Sequence, residues 1–288
     1  MTKEESKLAE RIAGIDRAKG FVDNFDALLD FALFPFLANP TQDEWKRFNE
    51  SRGNQAFCDA LLALGELSEG YHDALGDMFM ECISHGANSQ FFTPEHICDM
   101  MAEIVGVKND SVCDPTCGSG RFLLKGLQRS RENDTEPELY GCDLDHRCVR
   151  MTLLNICLNS GRGNVEWGNT LLLDIYKTYH IDRVLVNGKW MSFVWQYDKD
   201  TDLEALNNER EKTARQLLEC GVLYELPRYR RKEQSEEPED VQPEEEPTPT
   251  QAIEEKPAEP IKEPIKEPIK EPIKEPVRTV PVQLSFDF

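Results

Sequence analysis

No run of about 18 apolar residues occurs anywhere in the chain, which excludes a membrane-spanning helix. The first residues, "MTKEESKLAERIAG", hold no apolar signal core. Nine cysteines are present, but no CxxC pair and no zinc spacing, so a disulfide scaffold and a zinc module are both excluded. Several of these cysteines sit inside apolar runs, as small core hydrophobes do, which fits a reducing cytoplasm. Basic residues are also scarce: 33 Lys and Arg stand against 54 Asp and Glu, for a net charge of -21. The excess is not confined to the end of the chain. Residues 233–288 carry a net -10, and the rest keeps -11. A broad basic surface that grips nucleic acid by charge is therefore excluded. Contact with DNA would need local basic spots, metal ions or a partner. The one dense basic run, Arg228 to Lys232, reads as a solvated domain edge.

What is present falls into four segments. Residues 1–88 read as a helical N-terminal domain, with apolar residues at three- and four-residue steps and breaks at Pro35 and Pro40. Residues 89–232 alternate strand and helix. Thr93 and Pro94 open a helix whose apolar face is Ile97, Met100, Met101 and Ile104, with a stop at Gly106. Then follow strand "SVCD", helix "RFLLKGLQRSR", strand "ELYGCDLD", helix "HRCVRMTLLNICLN", strand "NVEWGN" and a fourth strand "DRVLVN". This is the rhythm of an open, parallel, Rossmann-like α/β sheet, in which ligands sit beyond the carboxyl ends of the strands. "MSFVWQY" reads as one more strand. "TDLEALNNEREKTARQLLECG" reads as a helix with Thr201 and Glu204 as a capping box and Gly221 as its stop. A full seven-strand sheet needs more chain, so the sheet is expected to be truncated. Residues 233–282 are a disordered Pro/Glu/Lys-rich linker with four "IKEP" repeats, in which proline favours extended polyproline II. Residues 283–288 form a short docking motif.

The sharpest local pattern is "DPTCGSG", Asp114 to Gly120, between a strand and a helix. Its glycines let bare backbone approach a ligand, with free N–H groups at the helix start. It has neither the Gly-Lys-Ser/Thr of a phosphate-binding loop nor the G-x-G-x-x-G of dinucleotide folds. Asp143 ends the next strand, 23 residues after Gly120, where an acidic side chain reaches ribose hydroxyls in nucleoside-binding α/β folds.

"QFFTP", "DPTCGSG" and "YGCDLD", in this order and spacing, resemble the adenine-N6 DNA methyltransferases. They are most similar to the modification subunits of type I restriction–modification systems. The stretch "DALGDMFMECISHGANSQFFTP" also resembles the helical lead-in of those subunits. The resemblance covers roughly residues 70–190 and implies S-adenosylmethionine as cofactor and adenine N6 of DNA as target. By position it implies that Phe92, Thr93 and Pro94 lie near the methionine part of the cofactor. It places Asp114, Cys117, Gly118 and Gly120 around the cofactor and Asp143 on its ribose. Asn169, in "WGNTL", stands where the family often has an Asp near the adenine amino group.

The family's Asn-Pro-Pro-aromatic motif corresponds to "VNGKW" at the end of the fourth strand. Two readings stay open. In one, Asn187, the Gly188 carbonyl and Trp190 form a degenerate catalytic loop. The Asn and the carbonyl accept the target amino hydrogens, and the ring stacks on the flipped base. Lys189 then places an unfavourable cation near a sulfonium. In the other, Asn187 and Gly188 are a hairpin turn between two strands. The first implies a methyltransferase. The second suits an inactive cofactor-binding protein that acts by docking. RNA or a protein amide is a further acceptor for the same motif type. No target-recognition domain is evident, so a partner is expected to read the bases. The chain ends in "QLSFDF", which resembles a bacterial sliding-clamp-binding peptide, with Gln283 as polar hook and Leu284, Phe286 and Phe288 as apolar anchors.

Overall fold

A computed structural model describes residues 2–84, 91–105, 111–219 and 222–225. The chain divides into two units, Met1–Arg231 and Lys232–Phe288, and all described residues belong to the first. The basic run, the IKEP linker and the docking motif lie outside the described residues, as do Gly106 and Gly221.

Five helices come first: α1 (Lys3–Ala13), α2 (Phe21–Leu33), α3 (Gln42–Ser51), α4 (Gln55–Leu67) and α5 (Ala74–Phe79). Thr2 with Glu5, and Thr41 with Glu44, form reciprocal capping boxes that start α1 and α3. α2 gives way to a 3-10 turn over Phe34–Phe36, where Pro35 removes an N–H donor. After α6 (Glu95–Val105) come β1 (Ser111–Asp114), α7 (Arg121–Glu132), β2 (Glu138–Asp143), α8 (His146–Leu158) and β3 (Gly163–Asn169). The chain then forms β4 (Asp174–Val186), β5 (Lys189–Asp198), α9 (Leu203–Glu219) and β6 (Leu223–Glu225).

The strand order is β1-β2-β3-β4-β5, with β6 also pairing to β4. β1, β2 and β3 are parallel, joined by α7 and α8. β4 runs antiparallel to β3, and β5 and β6 run antiparallel to β4. The parallel arrangement expected from the strand–helix rhythm holds for β1 to β3, and from β4 on the sheet is mixed. The reason is the connection after β3. Residues 170–173 make a tight turn, whereas a parallel crossover needs a dozen residues or so. Among the described residues β1 ends the row, whereas in a doubly wound sheet the first strand is central. Among the described residues the sheet has six strands.

The division expected at residue 88 is not a division in packing. One apolar core runs from Leu8, Ile12, Phe25, Leu28, Leu64 and Met78 into Leu123, Leu139, Val149, Leu153, Val165, Ile181 and Val194. Charge pins the same seam. Asp26 takes both Arg147 and Arg150 at 2.7 Å, and their guanidinium groups hold its carboxyl below the usual range against the opposing effect of burial. At α9 the expected cap is also corrected. Asp202 Oδ1 accepts from the Glu204 and Ala205 amides, while the Thr201 hydroxyl binds Asp198 instead.

Candidate cofactor site

The carboxyl ends of β1, β2 and β3 share one rim of the sheet, and the Asp114–Gly120 turn crosses it. Asp114 Oδ1 accepts from the Thr116 amide at 3.1 Å, which folds the turn back on the end of β1. The Cys117 amide donates to the Cys142 carbonyl at 2.9 Å and docks the turn on β2. Gly118 (φ +55°) and Gly120 (φ +83°) take left-handed conformations. A Cβ at Gly118 would stand 3.0 Å from the Phe92 ring, and one at Gly120 would stand 2.9 Å from Thr152. Only bare backbone fits between these walls. The Cys117 thiol is buried against Thr152, and burial pushes its pKa well up, so it is a packing group and not a nucleophile.

Phe92, which precedes Thr93 and Pro94, stacks on Phe79 with ring centroids 5.2 Å apart. The same ring stands beside Gly118, where a Cβ would meet it at 3.0 Å, so the two segments that sequence reading assigns to the cofactor are neighbours. Asp143 joins them: its Oδ2 accepts from the Gly118 amide at 2.9 Å and its Oδ1 from the Asp145 amide at 2.9 Å. Burial raises the carboxyl pKa values of both Asp114 and Asp143.

Asn169 ends β3 on the same rim, but its Oδ1 accepts from the Leu172 amide at 3.1 Å. This oxygen is already engaged within its own turn. Sequence reading missed a neighbour: the Thr170 hydroxyl donates to the Pro115 carbonyl at 2.7 Å and ties the β3–β4 turn to the Gly-rich turn. That turn carries Leu171, Leu172 and Leu173 exposed in succession.

Asn187, Gly188 and Trp190 are placed elsewhere. Val186 pairs with Lys189, so Asn187 (φ +51°) and Gly188 (φ +77°) form a two-residue hairpin turn with both residues left-handed. Asp174 pairs with Asn169 at the cofactor rim, and β4 runs away from it. The turn lies 13 residues further on, roughly 40 Å along an extended strand. Trp190 has a partner there: the Arg183 guanidinium lies 4.4 Å from its ring centroid. The structure gives Asn187 and Gly188 the hairpin geometry, and antiparallel pairing of β4 sends its end to the rim opposite the Gly-rich turn.

Another group that sequence reading missed lies beneath the turn. Asp73, fully buried, accepts from the Gly76 amide, the Ser119 hydroxyl, Arg121 Nε and Asn155 Nδ2. Arg121 also donates to the Thr93 carbonyl at 3.3 Å and to Asp77 at 2.7 Å. His72 bonds Glu95 at 3.0 Å, and Lys125 reaches Glu95 at 2.6 Å. The signal available in the sequence was the lead-in "DALGDMF", which begins at Asp73. A separate cavity of about 480 Å³ between α2, α3, α8 and the β4–β5 hairpin shares none of the expected cofactor residues.

A model of the family described as N-6 DNA Methylase matches residues 71–217. The type II restriction enzyme and methyltransferase RM.BcgI of Heyndrickxia coagulans is 33% identical over 133 residues, 40% of this chain and 21% of that protein. The type I restriction enzyme MpnII methylase subunit of Mycoplasma pneumoniae is 26% identical over 49% of this chain and 30% of its own. The type II methyltransferase M.VspI of a Vibrio species is 24% identical over 51% of this chain and 38% of its own. The matched stretch thus spans well under half of each relative. Among solved structures, a class I S-adenosylmethionine-dependent methyltransferase from Listeria monocytogenes matches 59% of this chain and 55% of that one, at 13% identity and a TM-score of 0.41. That likeness is too loose to argue from.

Proposed function

The chain belongs to the N-6 DNA methylase family, and we propose that it binds S-adenosylmethionine at the Asp114–Gly120 turn and serves adenine-N6 methylation of DNA together with a partner. The observation that carries this reading is the junction of Phe92, Gly118 and Asp143: an aromatic wall, a glycine backbone and a carboxylate within one contact network. It suits the cofactor chemically. Asp114 and Asp143 give the rim a negative charge that favours a sulfonium, and Asp143 keeps lone pairs for ribose hydroxyls. When bound, S-adenosylmethionine supplies an activated methyl group. Phe92, Thr93 and Pro94 wall its methionine part, Gly118 and Gly120 leave it room, and Asp143 orients its ribose.

The residues that hold the target amino group are a separate matter. Asn187 and Trp190 stand at the other rim, so this reading assigns adenine positioning, like base recognition, to a partner. The acidic composition points the same way, since this chain and DNA repel each other. The hairpin also favours a second reading, in which the chain holds the cofactor and docks without transferring methyl. Among the described residues no helix is long and apolar enough to cross a membrane. Gln283, Leu284, Phe286 and Phe288, outside the described residues, fit a tethered peptide for a sliding clamp. The proline-rich segment before them suits a spacer that raises local concentration.

Titration calorimetry with S-adenosylmethionine, on the wild type and Asp143→Ala, tests the cofactor reading. Saturable binding that the variant loses supports it, and no binding by the wild type overturns it. Labelled-methyl transfer to mixed-sequence DNA, with and without a co-expressed specificity subunit, separates the two functional readings. Label on adenine supports the methyltransferase. A cofactor-bound chain that transfers nothing in either case supports the docking protein.

A further inference from the structure

We propose that Asp73 and Arg121 are positioning residues that set the gap between the two cofactor-holding segments, an inference that rests on the cofactor reading above. Arg121 directly follows Gly120 and so belongs to the Gly-rich turn. Its three nitrogens point to three acceptors on two other segments. Nε meets Asp73 at 3.0 Å, one terminal nitrogen meets Asp77 at 2.7 Å, and the other meets the Thr93 carbonyl at 3.3 Å. Thr93 lies between Phe92 and Pro94, so a single planar guanidinium bridges both cofactor segments and anchors them to α5. Its rigid fork fixes directions as well as distances, which an ammonium group does not.

Asp73 is the fixed point of this bridge. Its Oδ2 takes Arg121 and the Ser119 hydroxyl, and its Oδ1 takes the Gly76 amide at 2.9 Å and Asn155 of α8 at 2.7 Å. Asn155 also donates to the Ser119 carbonyl at 2.9 Å. Ser119 is thereby held by side chain and backbone between the two left-handed glycines. Both members of the pair are buried, Asp73 at 0% and Arg121 at 7% exposure. A buried ion pair adds little net stability over apolar packing of the same shape. What it adds here is geometry: Phe92 and Gly118 face each other so closely that a Cβ would stand only 3.0 Å from the ring, and the walls on either side of that contact end on one guanidinium. Both Asp73 oxygens and all three Arg121 nitrogens are engaged by protein partners, so the role is positioning.

The test uses the full chain and the variants Arg121→Lys, Ser119→Ala and Asp73→Asn, with Asp143→Ala as a binding control. Three quantities are measured: S-adenosylmethionine affinity by calorimetry, thermal unfolding, and hydrogen exchange of the Phe92, Thr93, Gly118 and Ser119 amides without cofactor. Arg121→Lys keeps the charge and loses the fork. It is expected to weaken binding on the order of tenfold or more, with little change in unfolding temperature, and to speed exchange in both segments together. Arg121→Lys or Ser119→Ala proteins that bind within twofold of wild type, with unchanged exchange, overturn the proposal whatever their stability. Should Asp73→Asn fail to fold, those two variants decide. If the wild type binds no cofactor the reading of the site falls, and the exchange measurement still decides the bridge: coupled acceleration upholds it, unchanged exchange overturns it.

Discussion

The Gly118 amide donates to Asp143 Oδ2 at 2.9 Å, across the gap between the first turn and the end of the second strand. The ribose-binding carboxylate expected from sequence is thereby built into the wall of the cofactor turn. On the proposed cofactor reading its loss removes a ligand contact, and it also frees the turn. Asp143→Ala should weaken S-adenosylmethionine binding by about 10-fold to 100-fold, the range of one charge-assisted contact. Asp143→Asn should fall between, since its oxygen can still accept from Gly118. Calorimetry on the two variants checks the order.

Cofactor affinity should also depend on pH. Burial raises the Asp143 carboxyl pKa above its ordinary 3.8, outweighing the two backbone amides that lower it. Ribose hydroxyls need the ionised form as acceptor. Affinity should therefore decline on acidification, starting at a higher pH than an ordinary aspartate would give. An affinity that stays flat down to pH 4 would remove Asp143 from the binding reaction.

His72 and Glu95 should give stability its own pH window. The Glu95 hydrogen bond, with charges from Glu95, Asp77 and Asp73, raises the His72 pKa above 6.5 against burial. The His72 bond and Lys125 lower the Glu95 pKa from 4.5 to about 2. The stabilisation from His72 is complete below pH 6.5 and is lost as pH rises through the raised pKa. That from Glu95 is complete above pH 4.5 and is lost as pH falls toward about 2. Glu95→Gln should cost most stability between these limits, at pH 5.5, and less at pH 9. Melting curves at both values test this, and an equal loss at each would contradict it.

The hairpin makes the opposite kind of prediction. Gly188→Ala forces a side chain into a left-handed turn position and should cost about 1 kcal/mol. Neither it nor Asn187→Ala should change cofactor affinity or methyl transfer. A methylating preparation that Asn187→Ala silences would restore the catalytic role to this turn.

Arg210 and Asp182 should act as a unit. Both are buried, at 3% and 0% exposure, and bonded at 2.8 Å. Arg210→Met takes the guanidinium from a buried carboxylate and should cost about 3–5 kcal/mol in chemical denaturation. Replacing both residues by apolar ones of similar volume should recover most of that loss.

The cofactor half of the sheet was legible because its signals are local. Gly118 and Gly120 mark the turn, apolar runs mark β1 and β2, and helical periodicity marks α7 and α8. The fourth strand was seen only as "DRVLVN", although β4 begins at Asp174. The missed part, Asp174–Ile181, carries buried polar residues, Thr178 and His180, the latter against Asn164 of β3, and these hide the alternation of an amphipathic strand. Its direction was hidden as well, since "VNGKW" suits a hairpin and a loop equally until the short β3–β4 turn is known. The lead-in that begins at Asp73 was visible, but the contacts of Asp73 were out of reach for another reason. Its partners Ser119, Arg121 and Asn155 lie 46, 48 and 82 residues away, and no local pattern announces such contacts.

At Gly188 a Cβ would meet nothing within 4 Å. A fluorophore or an affinity handle inserted there would ride at the tip of a ribbon, remote from the cofactor rim. Loop tips of this kind tolerate insertion well. The ribbon thus offers a site for immobilising or labelling the protein while ligand binding is assayed at the opposite rim.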